Sequence, residues 1–180
     1  LQSLYSQKHR KYHNAQHIND CLAALDASSL TEAGNPLVEY ALWFHDAVYE
    51  PRASNNEKQS ADLAVSVLHK AGADSKAAAF IHSLIMATCH HSTPSEPHHQ
   101  LLVDIDLSIL GAPSERFAEF ERGIRSEYSW VPDRLYRQKR TAVLTSLYKR
   151  PTIFSTAEFH TRFEQRARGN LESLINELTS

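Results

Sequence analysis

The sequence has little of what would place it in several large classes of protein. Its 180 residues contain only two cysteines, Cys21 and Cys89, and no CxxC motif, which argues against a disulfide framework and a thiolate zinc site. We expect both to be buried as small hydrophobic side chains. No apolar run reaches the roughly 18 residues that a membrane span needs, and no signal peptide is visible. These absences predict a cytoplasmic protein that neither crosses a membrane nor is exported.

Strong charge of either sign is also absent. The formal net charge of −2 and the pI near 6.6 give no general electrostatic reason to bind nucleic acid or an anionic membrane. A small phosphate-bearing partner would therefore have to be recognised by local groups. The apolar residues of the last helical segment, such as Phe159 and Leu171, suit packing either within the domain or against a second copy in a homo-oligomer.

Helical periodicity dominates what is present. The stretch 101–110 alternates like a strand, but no second strand is predicted for it to pair with, so we interpret it as a helix. No linker is long enough to separate two domains. The sequence therefore predicts one all-α domain over residues 1–180, a bundle of seven to nine helices. The helical segments are 13–27, 36–45, 55–71, 74–90, 101–110, 114–127, 132–149 and 156–178.

The most informative stretch is residues 41–50, ALWFHDAVYE. An apolar run that should be buried ends there in the adjacent pair His45 and Asp46. Burying an imidazole and a carboxylate costs free energy unless a charged or hydrogen-bonding partner receives them. A metal ion would receive both, whereas a helix end that meets solvent is the alternative interpretation.

Further residues of ligand type interrupt apolar helix faces elsewhere. They are His17 and an acidic residue from the pair Asp104 and Asp106. A mixed imidazole and carboxylate shell suits Mn, Fe, Zn, Ni or Mg at an open catalytic site. The recurrence of such residues on three core-facing helices is hard to ascribe to chance.

These residues resemble a known family. A histidine, a His-Asp pair about thirty residues later and a distant aspartate form the pattern of the HD superfamily of metal-dependent phosphohydrolases, which are all-α proteins. The chain also resembles a bacterial subgroup described as predicted HD phosphohydrolases, and this likeness extends over nearly its whole length. The segments that carry it include Tyr12-His13-Asn14, FHDAVYEP (44–51), DIDLSILG (104–111), LYKRPTIF (147–154) and FEQRARGNL (163–171).

The resemblance implies a ligand set and an activity. By similarity, a set of four ligands holds one divalent ion, and Asp46 is central to activating water or substrate. Asp106 is favoured over Asp104 as the last ligand because Asp106 precedes a leucine, as the family's last ligand does. His90 and His91 fall where some relatives carry extra histidines for a second metal, to which Asp104 could also contribute. The implied ligands are His17, His45, Asp46 and Asp106.

The implied reaction is hydrolysis of a phosphate ester of a nucleotide or related small molecule by metal-activated water. Glu57, or alternatively Glu50, could manage the proton. Tyr12 and His13 could contact a base or simply pack where the next helix begins. The candidates to bind phosphate are Arg10, by the resemblance, and more weakly Arg137, Lys139 and Arg140.

Two other classes of function remain open. A di-iron oxygenase of the same superfamily would need more ligands, and His90, His91 and Asp104 are the candidates. A regulatory module that binds metal or nucleotide without turnover is the other. Its one hint is that Ala47-Val48-Tyr49 replaces the Gly-Lys that follows the His-Asp pair in many relatives.

Overall fold

The computed structural model describes residues 1–29, 36–89 and 93–180. Within those ranges the chain forms helices and no strands, which confirms the all-α prediction. Two short 3-10 helices, Ala87–Cys89 and Ser108–Gly111, directly follow α-helices. The nine α-helices of the described residues are α1 (Gln2–Tyr5), α2 (Ala15–Asp26), α3 (Pro36–Phe44), α4 (Asn56–Lys70), α5 (Ser75–Met86), α6 (Pro97–Leu107), α7 (Ser114–Glu127), α8 (Asp133–Tyr148) and α9 (Ala157–Thr179).

Local capping signals explain several helix ends. The Asn14 side chain accepts a hydrogen bond from the backbone N–H of Gln16 and begins α2. The Asp74 side chain caps α5 in the same way, as its position in the sequence predicts. Gly72 has a φ of 79°, a conformation that favours glycine, and it stops the chain from continuing α4.

The segment that alternates like a strand is helical, but it begins earlier than predicted. Helix α6 starts at Pro97, because a proline suits the first turn of a helix, so His98 and His99 belong to a helix rather than to a loop. The His99 Nε2 atom lies 3.0 Å from the Ser83 hydroxyl of α5. Helix α1 was not predicted, since four residues are too few to show a period.

Three central helices position the site. Helices α2, α3 and α6 contact one another, and α3 also packs against α5. Their inward faces carry buried residues such as Ile18, Leu42 and Ile105. Among the described residues no helix combines the length and apolarity needed to cross a membrane.

Candidate metal centre

Helix ends bring four side chains of ligand type together. His17 lies in the first turn of α2, and Asp106 lies in the last turn of α6. His45 and Asp46 follow directly after α3, where the His45 N–H still donates to the Ala41 carbonyl at 2.8 Å. Residues that are far apart in the sequence therefore meet because the start of α2 and the ends of α3 and α6 lie at one place.

The donor atoms of these side chains have the spacing of a coordination shell. The Nε2 atoms of His17 and His45 are 3.1 Å apart. Asp46 Oδ2 lies 3.5 Å from His17 Nε2 and 3.2 Å from His45 Nε2, and the corresponding distances for Asp106 Oδ1 are 3.3 and 3.6 Å. Ligands about 2.1 Å from one ion lie about 3.0 Å apart in an octahedral shell and about 3.4 Å apart in a tetrahedral one.

Hydrogen bonding orients the His45 ring as a ligand. Its Nδ1 lies 2.8 Å from the Leu42 carbonyl, which can only accept a hydrogen bond. The neutral ring therefore carries its proton on Nδ1 and presents the Nε2 lone pair to the cluster. His45 is 1% exposed, whereas the Asp46 and Asp106 side chains are 15% and 16% exposed. The cluster is thus buried on its histidine side and open on its carboxylate side.

The charges of the cluster are unbalanced unless a cation or a proton joins them. Burial opposes ionisation of Asp46, but His45 and other nearby imidazoles hold the pKa of its carboxyl well below the usual range. Burial disfavours the His45 imidazolium, yet Asp46 and Asp106 raise its pKa well above the usual value. A proton can supply the positive charge, and a divalent ion would fit the same donor atoms.

Cys21 also belongs to this region, which sequence reasoning missed. Its Sγ lies 3.7 Å from His17 Nδ1, and ligand atoms of His17, Cys21, His45 and Asp106 all lie within 4.8 Å of one another. This buried group could hold a metal ion. Burial, followed by the negative charge of Asp106, raises the pKa of the Cys21 thiol well above its usual value, so the thiol stays protonated. Its position one helical turn after His17 was the available signal.

Asp104, predicted as a possible ligand of a second metal, is engaged by the chain itself. Its side chain is fully buried and accepts hydrogen bonds from the backbone N–H groups of Ser155 and Thr156 and from the Thr156 hydroxyl, at 2.7–3.1 Å. The carboxylate therefore anchors the turn that begins α9. His90 and His91, the other predicted second-site ligands, lie outside the described residues.

Arg10, predicted to bind phosphate, is also engaged by the chain itself. It is 4% exposed, and its guanidinium donates to the backbone carbonyls of His13, Asp46 and Ala47 at 2.7–2.9 Å and to the Gln7 side chain at 3.0 Å. These bonds tie the loop after α3 to the N-terminal segment. Arg10 therefore positions Asp46, and its contact with phosphate stays a prediction.

A buried carboxylate that the sequence did not single out, Glu127, organises the neighbouring segment. It accepts hydrogen bonds from the backbone N–H groups of residues 11–13 at 2.7–3.0 Å and from the Tyr49 hydroxyl at 2.8 Å. Its Oε2 lies 2.7 Å from His13 Nδ1. Burial opposes ionisation of Glu127, but its bonds to His13 lower its pKa to about 2. The His13 ring also stacks on the Tyr49 ring, with centroids 4.1 Å apart.

A cavity of about 780 Å³ lies above the open side of the cluster. Asp46 and Asp106 contribute to its lining, as do Tyr12 and His13. Its volume falls within the range of small-molecule sites, which are usually concave and mainly apolar. The arrangement places the open carboxylates of the cluster where a ligand can reach them.

Of four further predicted residues, three line this cavity and the fourth, Arg137, does not. Glu57 lines it from the first turn of α4. Lys139 and Arg140 line it from α8, but Arg140 is held in an ion pair with Glu121 and lies over the Phe120 ring. Arg137 donates to backbone carbonyls at the end of α9. Arg140 and Arg137 are thus committed to structural contacts, while Glu57 and Lys139 face the cavity.

The fold and the site define an all-α protein with a histidine and carboxylate cluster at the floor of a cavity. No family model, curated protein or solved structure matches the chain.

Proposed function

We propose that the protein is a metal-dependent phosphohydrolase of the HD type, which binds one divalent ion. The proposal is supported by the Nε2 atoms of His17 and His45, which lie 3.1 Å apart and each 3.2–3.6 Å from a carboxylate oxygen of Asp46 and of Asp106, beside a ligand-sized cavity. Imidazole and carboxylate ligands suit Mn, Fe, Zn, Ni or Mg.

The residues have separate roles in this proposal. A bound ion would lower the pKa of a water molecule and polarise a phosphoryl oxygen. His45, fixed by the Leu42 carbonyl, and His17 hold the ion from the buried side, while Asp46 holds it from the open side. Glu57 lines the same cavity and accepts the proton of the attacking water. Lys139 offers a positive charge to the phosphoryl group.

The one-ion hydrolase is favoured over a di-iron oxygenase by the state of Asp104. A second ion needs additional ligands, and the carboxylate of Asp104 is occupied at the start of α9. A regulatory module would keep the same metal ligands without turnover. The substrate is a small phosphate ester, for which a nucleotide is one candidate.

An activity screen with a matched carboxylate control tests the proposal. The protein is loaded separately with Mn²⁺, Zn²⁺, Fe²⁺, Ni²⁺ or Mg²⁺, and phosphate release is measured from a panel of phosphomonoesters that includes nucleotides. We expect Asp46→Asn to lower kcat/KM on the order of 10³-fold or more, because it removes a metal ligand. Asp62→Asn changes an exposed carboxylate paired with Lys58 and should leave the rate unchanged.

The outcomes of this screen distinguish a hydrolase from a regulatory module and from an oxygenase. Phosphate release that depends on metal and on Asp46 supports a hydrolase. Metal binding without release from any ester contradicts it and favours a regulatory module. Two iron ions per chain with consumption of oxygen would favour the oxygenase.

A further inference from the structure

Exposed apolar side chains concentrate at the mouth of the cavity above the cluster. Among the described residues, six large apolar side chains are exposed, and three of them line this cavity: Trp130, Leu135 and Val143, at 48%, 44% and 50% exposure. The other three, Leu1, Trp43 and Val67, do not line it. An exposed apolar patch that borders a cavity commonly marks a binding surface.

The geometry of α8 places two of these residues in one row. Leu135, Lys139 and Val143 are spaced by four residues, so they follow one another along the same face of the helix. Trp130 precedes α8, and the Arg52 guanidinium lies 4.7 Å from the centroid of its ring. The mouth is therefore an apolar rim with Lys139 between Leu135 and Val143 and the Arg52 guanidinium against Trp130. Its deeper wall continues with apolar residues such as Leu107, Ile124 and Leu147.

Three polar groups of the wall are engaged by the protein itself. The Tyr49 hydroxyl donates to Glu127, and the Asn56 amide bonds to the backbone of Glu50 through both its oxygen and its nitrogen. Arg140 is paired with Glu121. The exposed side chains of the mouth therefore offer mainly apolar contact, which suits an apolar group better than the base and sugar hydroxyls of a nucleoside.

We infer that the organic group of the substrate is an apolar chain, which lies against the rim formed by Trp130, Leu135 and Val143 while its phosphate meets the metal cluster and Lys139. This inference rests on the proposed function and names its substrate class. An amphiphilic phosphate monoester matches both parts of the cavity, the charged floor and the apolar mouth.

Binding of alkylphosphonates, which cannot be hydrolysed, tests the inference directly. The Zn²⁺-loaded protein is titrated with methylphosphonate, butylphosphonate and octylphosphonate by calorimetry, with a phosphonate analogue of AMP for comparison. Each fully buried methylene tightens binding about fourfold, so we expect octylphosphonate to bind at least about 100-fold more tightly than methylphosphonate. The Trp43→Phe variant keeps Trp130 as its one tryptophan. Its fluorescence emission should shift when octylphosphonate binds and should not shift with methylphosphonate or the AMP analogue.

Matched surface variants show where the alkyl chain of the ligand binds. Leu135→Gln and Val143→Gln should reduce the gain from methyl to octyl by about tenfold or more, because they place an amide in the rim. Val67→Gln replaces an equally exposed valine on α4, outside the cavity, and should keep the full gain. Both rim residues are exposed, so these changes should preserve folding, which circular dichroism verifies.

The outcomes separate this inference from the proposed function. Hydrolysis of short esters without any gain from chain length, or tighter binding of the AMP analogue, overturns the inference and leaves the hydrolase standing. A gain from chain length without hydrolysis of octyl phosphate or any other ester supports an apolar ligand but contradicts the hydrolase. If the rim variants change oligomeric state and not octylphosphonate binding, the rim is a contact between copies of the chain and the inference fails.

Discussion

Two neighbouring histidine and carboxylate clusters, whose His13 and His17 ring centroids lie 6.1 Å apart, differ in how their charges are satisfied. Glu127 is surrounded by donors, and its side chain is 0% exposed. In the cluster of His17 and His45, the carboxylates are partly exposed and the donor atoms face one another. A carboxylate bonded to several backbone N–H groups is structural, whereas carboxylates that lie 3.2–3.6 Å from two imidazole nitrogens have the spacing of a metal shell.

The same difference separates two residues of α6. Asp104 is fully buried and bonded to Ser155 and Thr156, while Asp106, two positions later, meets the imidazoles of the metal cluster. A shift of two residues turns the side chain to another side of the helix. Sequence position alone therefore says little about the role of either carboxylate.

Exchanging each of these aspartates for asparagine should give opposite results, and we expect the largest effect here. Asp106→Asn should weaken metal binding at least about 100-fold and lower phosphate release accordingly, because it removes a ligand. Asp104→Asn should keep metal binding and lower the free energy of unfolding by about 1–3 kcal/mol, since it weakens the anchor of α9. Metal titration and urea unfolding measure the two effects. Equal loss of metal in both variants would contradict the comparison.

Glu127→Gln tests whether the cluster of Glu127 and His13 is structural. It removes the fully buried carboxylate that pairs with the half-buried His13 and should lower the free energy of unfolding by about 3–5 kcal/mol, a fall in Tm of roughly 10 °C. The matched control is Glu119→Gln on the same helix, where an exposed ion pair with Arg116 contributes about 1 kcal/mol or less. A Tm for Glu127→Gln equal to that of the control would show that Glu127 is not structural.

Acid should reduce the stability that Glu127 contributes over a defined pH range. The pKa of Glu127 is lowered to about 2 in the folded protein, from an ordinary value of 4.5. A lowered folded pKa means that this carboxylate stabilises the fold fully above about pH 4.5 and loses that contribution as pH falls towards 2. Urea unfolding between pH 6 and pH 3 should therefore show a steeper loss of stability for the wild type than for Glu127→Gln. Parallel curves would contradict this assignment.

Cys21→Ser should have the smallest effect. Cys21 Sγ lies 3.7–3.8 Å from the two ring nitrogens of His17, and the proposed ion already has four ligands, so we expect the thiol not to be needed as a ligand. We expect the same metal stoichiometry and a change in affinity below about tenfold. Loss of the metal in this variant would show instead that the ligand set includes sulfur.

The fold was predicted from the sequence more completely than the site was. Apolar periodicity and capping residues such as Asp74 predict most helices, because these signals are local. The start of α6 was missed because a proline-rich stretch is also typical of loops. The structural role of Arg10 was not predicted, because nothing local reveals that its guanidinium meets the carbonyls of residues 46 and 47.

The metal ligands were predicted by residue type, but their convergence depends on tertiary packing. His45 and Asp46 interrupt an apolar run, a signal that is visible in one dimension. Apolar periodicity does not distinguish Asp104 from Asp106, and only the resemblance favoured Asp106; in the structure, the contact with the turn before α9 separates them. Glu127 gave no signal, since a glutamate at the end of an amphipathic helix is usually solvated.

The most direct test of the metal centre is the metal content per chain, measured by elemental analysis after dialysis without chelator, for the wild type and Asp46→Ala. The account predicts about one equivalent of a divalent metal in the wild type and on the order of a tenth or less in the variant, because Asp46 is one of four ligands of one ion. Asp62→Ala, an exposed carboxylate variant, should match the wild type. An absence of metal from the wild type, even after reloading with Mn²⁺ and Zn²⁺, would contradict the account.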